Sequence, residues 1–281
     1  MGLIMPSGPD WTYSSDNLPA TPSSSPFGVN VVAGASNSDG TAVTLLSALA
    51  HDGEFIQIMT GNFSSSGAAG ATLLDILYDP TGGTSWQSLI DDLIVGYTTS
   101  QASATRVDVV SYSFPLWIPA GSSIGAQART AHSSTLDGDV MVFVQGGHRN
   151  PAHWWAGQGV ESIGINAASS QGTLITPGSS GAYSSWTNIG STTTYRGGAI
   201  QFGAQADGAA INTRQYRLQL GIGSNNIGLN YYMFTTSSES GTSIKTGLSF
   251  VDIPAGTQLQ ARGTSNTTNT DQVGVAAYVV Y

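Results

Sequence analysis

"IPAGSSIGAQAR" (residues 118–129) and "IPAGTQLQAR" (residues 253–262) say nearly the same thing 135 positions apart. In each, a proline holds φ near −65° and withholds an N–H, so it ends a strand. The glycine two residues on permits the positive φ of a turn back. The residues that follow alternate apolar and polar, the period of a half-buried strand. The register persists beyond the motif: Ile124 falls on Leu259, Ala126 on Ala261, and Val140, Val142 and Val144 on Val275, Ala277 and Val279. Polar stretches, "TAHSSTLDGD" and "GTSNTTNTDQ", separate motif from terminal strand in each copy. Each unit therefore closes with a strand, a loop and a strand.

Working outward, the rest of the chain reads as short β-rich runs. "GVNVVAG", "GEFIQIMTG", "RVDVVSYSF", "AIQFGAQ", "QYRLQLGIG" and "LNYYMFTT" are separated by Asp-Gly and Gly/Ser/Asn turns. Many short strands at this spacing predict an all-β chain of two tandem related β-sandwich, jelly-roll-like domains. The expected organisation is a Pro/Ser-rich N-terminal arm at 1–24, a first domain at 25–146, a linker at 147–160 and a second domain at 161–281. Upstream of the motif, "FIQIMTGN" at Phe55 aligns with "RLQLGIGS" at Arg217. That offset of 162 implies about 27 extra residues in the first copy. The extra material is assigned to residues 73–96. Within it Trp86, Leu89, Ile90, Leu93 and Ile94 fall at i, i+3, i+4, i+7 and i+8, which predicts one short helix. Ser85 is its expected cap and Gly96 its end, with Asp91 and Asp92 toward solvent.

Composition narrows the function. The 281 residues are 40% hydrophobic, enough for a core, but only 9% charged. The net charge is −9. Up to Asn150 there are 12 acidic and 3 basic residues; after it there are 5 of each. An acidic chain of this kind lacks the basic stripe that nucleic acid or an anionic membrane requires. No cysteine is present, so neither a disulfide framework nor a zinc–thiolate site is expected. The first residues, "MGLIMPSGPDW", carry no basic region and no long apolar run, and are read as no signal peptide.

No motif compels a chemistry. "GSSIG" (121–125) matches the G-x-S-x-G elbow with Ser123 as nucleophile. That elbow needs a helix after it, whereas a strand is expected here, and Gln258 occupies the matching place in the second copy. Of four histidines, His51, His132, His148 and His153, the last two flank the linker beside Trp154 and Trp155. Those tryptophans read foremost as apolar glue between domains, next as a platform for sugar rings, and least as neighbours of a histidine metal site. Asp137-Gly-Asp139 and Asp91-Asp92 lack EF-hand spacing, and no carboxylate pair stands out as a glycosidase's. Asn62 and Asn266 begin N-x-S/T sequons. The reading is no catalytic residues, no cofactor, no metal and no enzyme, with Trp154, Trp155, Tyr231 and Tyr232 as possible partner or glycan contacts.

The repeated I-P-A-G turn and its following strand, in a cysteine-free chain with a single lysine (Lys245), resemble structural proteins of tailed-bacteriophage virions. The resemblance implies a non-enzymatic β-sandwich part of a virion, such as a capsid decoration or cement protein. A tail- or fibre-associated receptor- or carbohydrate-binding protein is the alternative. It further implies other virion proteins (major capsid or tail proteins) as partners, homo-oligomerisation, and assembly into virions in the host cytoplasm.

Overall fold

The computed structural model describes residues 10–13, 28–61, 63–65, 68–95, 110–146, 156–207, 214–235, 244–267 and 272–281. The first half runs β1 (Asp10–Tyr13), β2 (Val29–Ala33), β3 (Val43–Leu46), β4 (Gly53–Thr60), β5 (Ser64–Ser65), β6 (Ala68–Ala69), β7 (Thr72–Asp79), β8 (Gln87–Ile94), β9 (Val110–Phe114), β10 (Ser123–Thr130) and β11 (Leu136–Gly146). The second runs β12 (Val160–Ile163), β13 (Ile165–Asn166), β14 (Gln171–Ile175), β15 (Thr187–Asn188), β16 (Gly197–Asp207), β17 (Arg214–Ile222), β18 (Asn225–Thr235), β19 (Ile244–Lys245), β20 (Ser249–Ile253), β21 (Leu259–Ser265) and β22 (Gln272–Val280).

Strand pairing shows two copies of one topology. In the first, β2–β11–β4–β9 lies over β3–β10–β7–β8; in the second, β14–β22–β16–β20 lies over β15–β21–β17–β18. Each is the eight-strand, two-sheet arrangement of a jelly roll. The strand before each roll also corresponds: β1 pairs β11 beside β2, and β12 pairs β22 beside β14. Part of the expected N-terminal arm is thus sheet.

Register corrects the upstream alignment. Val142 pairs Ile58, and Ala277, its match at offset 135, pairs Phe202. Hence "FIQIMT" corresponds to "AIQFGA" at an offset of 144, not to "RLQLGIGS" at 162. Fine detail follows the same offsets. A Cβ on Gly34 would meet Ser38 O at 2.2 Å, and one on Gly178 would meet Ala182 O at 2.2 Å. Both glycines sit at the same bridge, to Arg129 and Thr264 respectively.

The predicted helix is not formed. Residues 73–96 include the hairpin β7–β8, whose counterpart is β17–β18, so they are no insertion. The first copy's hairpin has the longer loop, spanning residues 80–86 against 223–224. The helical spacing arose because β8 is buried in adjacent pairs, Leu89–Ile90 and Leu93–Ile94. Between the pairs the strand bulges, with Asp92 in the left-handed region at φ 60°. A strand covered on both faces and broken by a bulge mimics an apolar helix stripe. Among the described residues the helical content is a single three-residue 3-10 turn, Ala167–Ser169.

The two rolls are fused. β8 pairs β12 in parallel through Ile90 and Val160, so sheets of both rolls join into one of eleven strands. The final strand, β22, is buried on both faces. Val273, Val275, Ala277 and Val279 enter the second core, while Ala276, Tyr278 and Val280 enter the first. Residues 147–155 of the expected linker lie outside the described residues. Beyond them, Gly157 N–H donates to Pro115 O, and Gln158 N–H donates to Tyr281 O, which fastens the chain between the copies.

The opening motif is a docked turn in both rolls. Ile118 and Ile253 are fully buried, and Gly121 and Gly256 adopt φ of +83° and +79°. Gly121 N–H donates to Leu49 O, and Gly256 N–H donates to Thr193 O. A Cβ on Gly256 would meet nothing within 4 Å, so substitution there isolates the backbone cost. Gly256→Ala is expected to destabilise by about 1–2 kcal/mol and Gly256→Asn by less, measured by urea denaturation. An alanine variant as stable as the parent would show that the turn does not need its positive φ.

Candidate functional site

The outer face of β15–β21–β17–β18 carries the chain's densest grouping of arginine, aromatic and amide side chains among the described residues. On β17, Leu218 and Leu220 point into the core, which turns Arg217 and Gln219 outward; on β21, buried Ala261 does the same for Arg262. Arg262 lies 4.6 Å from the ring centre of Tyr183 and 4.4 Å from that of Trp186. Arg217 lies 5.6 Å from Tyr183 and 5.9 Å from Tyr232. The result is a row running Trp186, Arg262, Tyr183, Arg217, Tyr232. Contacts at these distances are attractive through the ring quadrupole.

An amide ladder fixes the row. Arg262 Nε donates to Gln219 Oε1 at 2.8 Å, and Gln219 Nε2 donates to Asn230 Oδ1 at 2.8 Å. Gln260 Nε2 donates to Asn188 Oδ1 at 2.7 Å. Trp186 lies against Gly221, where a Cβ would come within 2.7 Å of the indole. Neither Arg217 nor Arg262 has a carboxylate partner among the described residues. The buried Tyr183 hydroxyl likewise has no hydrogen-bond partner there.

The first roll fills the same positions differently. Leu73 stands where Arg217 does, and Ile94 where Tyr232 does; both are fully buried. The ladder Arg262–Gln219–Asn230 becomes Gln127–Asp75–Asp92. Gln127 Nε2 donates to Asp75 Oδ2 at 3.0 Å, and Asp92 N–H donates to Asp75 Oδ1 at 2.8 Å. Arg129 is held by Asp92 and Asp39. Burial, partly offset by the Gln127 hydrogen bond, pushes the Asp75 carboxyl up to about 6. One sheet face thus carries an arginine paired to carboxylates in the first copy, and in the second an aromatic row whose two arginines have no carboxylate partner among the described residues.

The residues singled out from sequence fall apart in space. Tyr232 is 69% exposed at the end of the row. Tyr231, its neighbour on β18, faces the other way and packs half-buried on the second core. Trp154, Trp155, His148 and His153 lie outside the described residues. Ser123 opens β10 as a buried strand residue and donates its hydroxyl to Ser47 O. No helix follows it, so no nucleophile elbow forms. His132 is half-buried and accepts the Ser134 N–H. Among the described residues no group of three or more His, Cys, Asp or Glu could hold a metal ion. No helix there is long and apolar enough to cross a membrane. Sequence reading missed Tyr183, Trp186, Arg217 and Arg262. The available signal was the contrast of an acidic first half with a balanced second half.

No protein-family model matches the chain, and no curated protein does. Among solved structures it is similar to the N-terminal CBM22-1–CBM22-2 tandem domain of Paenibacillus barcinonensis Xyn10C. That match has 14% identity, covers 85% of this chain and 82% of that one, and has a TM-score of 0.25. It is also similar to a peptide-N(4)-(N-acetyl-β-D-glucosaminyl) asparagine amidase, at 10% identity, 90% and 95% coverage and a TM-score of 0.38. A third is an F-lectin (fucolectin) from Morone saxatilis (striped bass) serum, at 12% identity, 85% and 85% coverage and a TM-score of 0.19. Superposition this loose transfers no function. The class is set by the strand order itself: an all-β protein of two tandem, fused jelly-roll sandwiches.

Proposed function

We propose that the chain is a non-enzymatic structural protein of a virion, mounted on the particle as a decoration or cement protein. The observation that carries this reading is the fusion of two jelly rolls through one eleven-stranded sheet and the doubly buried β22. Modules joined by a flexible linker lose orientational freedom each time they bind. A fused pair has lost it already, so weak contacts repeated over a particle add with little further entropic cost. A weakly charged surface suits such packing, and the sequence style resembles virion parts. Major capsid or tail proteins are the expected partners.

The fusion also offers a mode of self-association. Within the chain, β8 of one roll docks on β12 of the next. The corresponding strands are β18, which pairs only β17 among the described residues, and β1, which pairs only β11 there. A second copy repeating the junction head to tail would use these two edges.

Mass spectrometry of purified virions, with copy number, tests the proposal. A count in the range of the capsid protein's symmetry supports decoration. A single-digit count overturns decoration in favour of a tail-tip part, and absence from virions overturns the reading altogether. A tail- or fibre-associated receptor-binding role is the second reading, favoured by the unpaired arginine–aromatic face of the second roll.

A further inference from the structure

We infer that the outer face of β15–β21–β17–β18 is a binding site for acidic saccharides, taking a sugar carboxylate on Arg217 and Arg262 and sugar rings against Trp186 and Tyr232. Three observations converge on it. The two guanidiniums lack carboxylate partners among the described residues, although the chain as a whole is acidic, with net charge −9. Both are held in place before any ligand arrives, Arg262 between two rings and by Gln219, and Arg217 between two rings. The face is also where the copies diverge. The first roll has Leu73, Gln127 and Ile94 where the second has Arg217, Arg262 and Tyr232, while the strand order is the same. The fold alone therefore does not require these side chains.

The chemistry selects the ligand. A planar guanidinium pairs bidentately with a carboxylate. Tyrosine and tryptophan offer an apolar face with a polar edge, which suits the C–H face and hydroxyls of a pyranose ring. The amides of Gln260, Asn188 and Asn230 add donors and acceptors for ring hydroxyls. A nucleic acid also stacks on aromatics and pairs with arginine, but it needs a basic track to displace counterions. Here two arginines stand on an acidic chain, which fits one or two sugar carboxylates and not a continuous phosphate backbone.

The test is calorimetric titration of the intact chain with uronate- and sialate-containing oligosaccharides, each beside its neutral methyl ester, and with an oligothymidylate of similar length. At least one acidic saccharide is expected to bind, its ester about tenfold or more weaker. Arg217→Gln and Arg262→Gln should each weaken binding by about tenfold or more while leaving the melting transition unchanged, and raised salt should weaken it further. Tyr232→Ala, an exposed site, should weaken binding without loss of fold. Silence of every acidic saccharide at millimolar concentration overturns the inference, as does equal binding of the esters, or full binding by the double arginine variant. Tighter binding of oligothymidylate than of any saccharide overturns it in favour of a nucleic-acid face. These measurements use the purified chain, so they stand or fall independently of its presence in virions.

Discussion

Tyr278→Ala is expected to lower the unfolding free energy by about 3–5 kcal/mol, and Tyr278→Phe by about 1–3 kcal/mol, measured by urea denaturation. Tyr278 belongs to the last strand of the second roll but is fully buried in the core of the first. Its ring meets Tyr112 edge-on at 5.5 Å and Phe114 at 6.4 Å. Its hydroxyl accepts the Ile94 N–H at 2.8 Å and donates to Asp92 O at 3.2 Å. These are backbone groups at the β8 bulge. Tyr112 donates to the neighbouring Ile94 O at 2.6 Å. Burial pushes both phenols above the usual tyrosine range, so they stay protonated and can donate. Alanine removes ring and hydroxyl together and leaves a cavity among large side chains. Phenylalanine keeps the packing but strands a buried N–H and C=O. The fusion also predicts one cooperative transition for the intact chain. Two resolved transitions, with only the later half affected by Tyr278→Ala, would show that the rolls fold independently despite the shared sheet. A phenylalanine variant as stable as the parent would show that water or another group serves the bulge.

Asp75→Asn is expected to stabilise the protein at neutral pH by up to about 3 kcal/mol and to flatten its stability between about pH 4 and 6. The Asp75 carboxyl is raised from 3.8 to about 6, chiefly by burial. Between those values the folded chain keeps this proton and the unfolded chain releases it. Stability from this group is therefore fully present below about pH 4 and is lost as pH rises through about 6. Asparagine removes the titration. Its Oδ1 can still accept the Asp92 N–H, and its amide can donate to Gln127 once that side chain turns its oxygen inward. The second roll already holds an amide, Gln219, at this place in the ladder. Because other carboxylates also titrate, the readout is the difference between variant and parent across the pH range. Parallel curves for the two proteins would contradict the buried-carboxyl account. A variant less stable at every pH would show that the ladder needs the charge beside Arg129.

The sandwich architecture and the repeat were legible in the chain because both rest on local rules. I-P-A-G writes a turn wherever it stands, and alternation writes a half-buried strand. The offset of 135 could be followed through the motif and the last strand, since those strands keep one face to a core in each copy. The upstream offset was misread because "IQI", "LQL" and "IQF" share a pattern. Only the pairing of β4 with β11 and of β16 with β22 says which two correspond. The helix prediction failed for a similar reason. Leu89, Ile90, Leu93 and Ile94 are apolar because β8 sits mid-sheet where the two rolls fuse, and fusion is a long-range fact that no local period encodes.

The candidate face was the least legible part. Tyr231 and Tyr232 look alike in sequence, and a pleat one residue long sends the first to the core and the second to solvent. Arg217, Arg262, Tyr183 and Trp186 are spread over 80 positions and become a row only when β17 pairs β21 and the loop before β15 folds over Gly221. Composition determined the acidic, cysteine-free, all-β character and the turn sites, because those depend on residue type and nearest neighbours. Tertiary structure alone decided which strands are buried on both faces, which tyrosine bridges the two cores and which arginines stand unpaired. Each of these depends on which distant strand lies alongside, and hydrogen-bond register sets that.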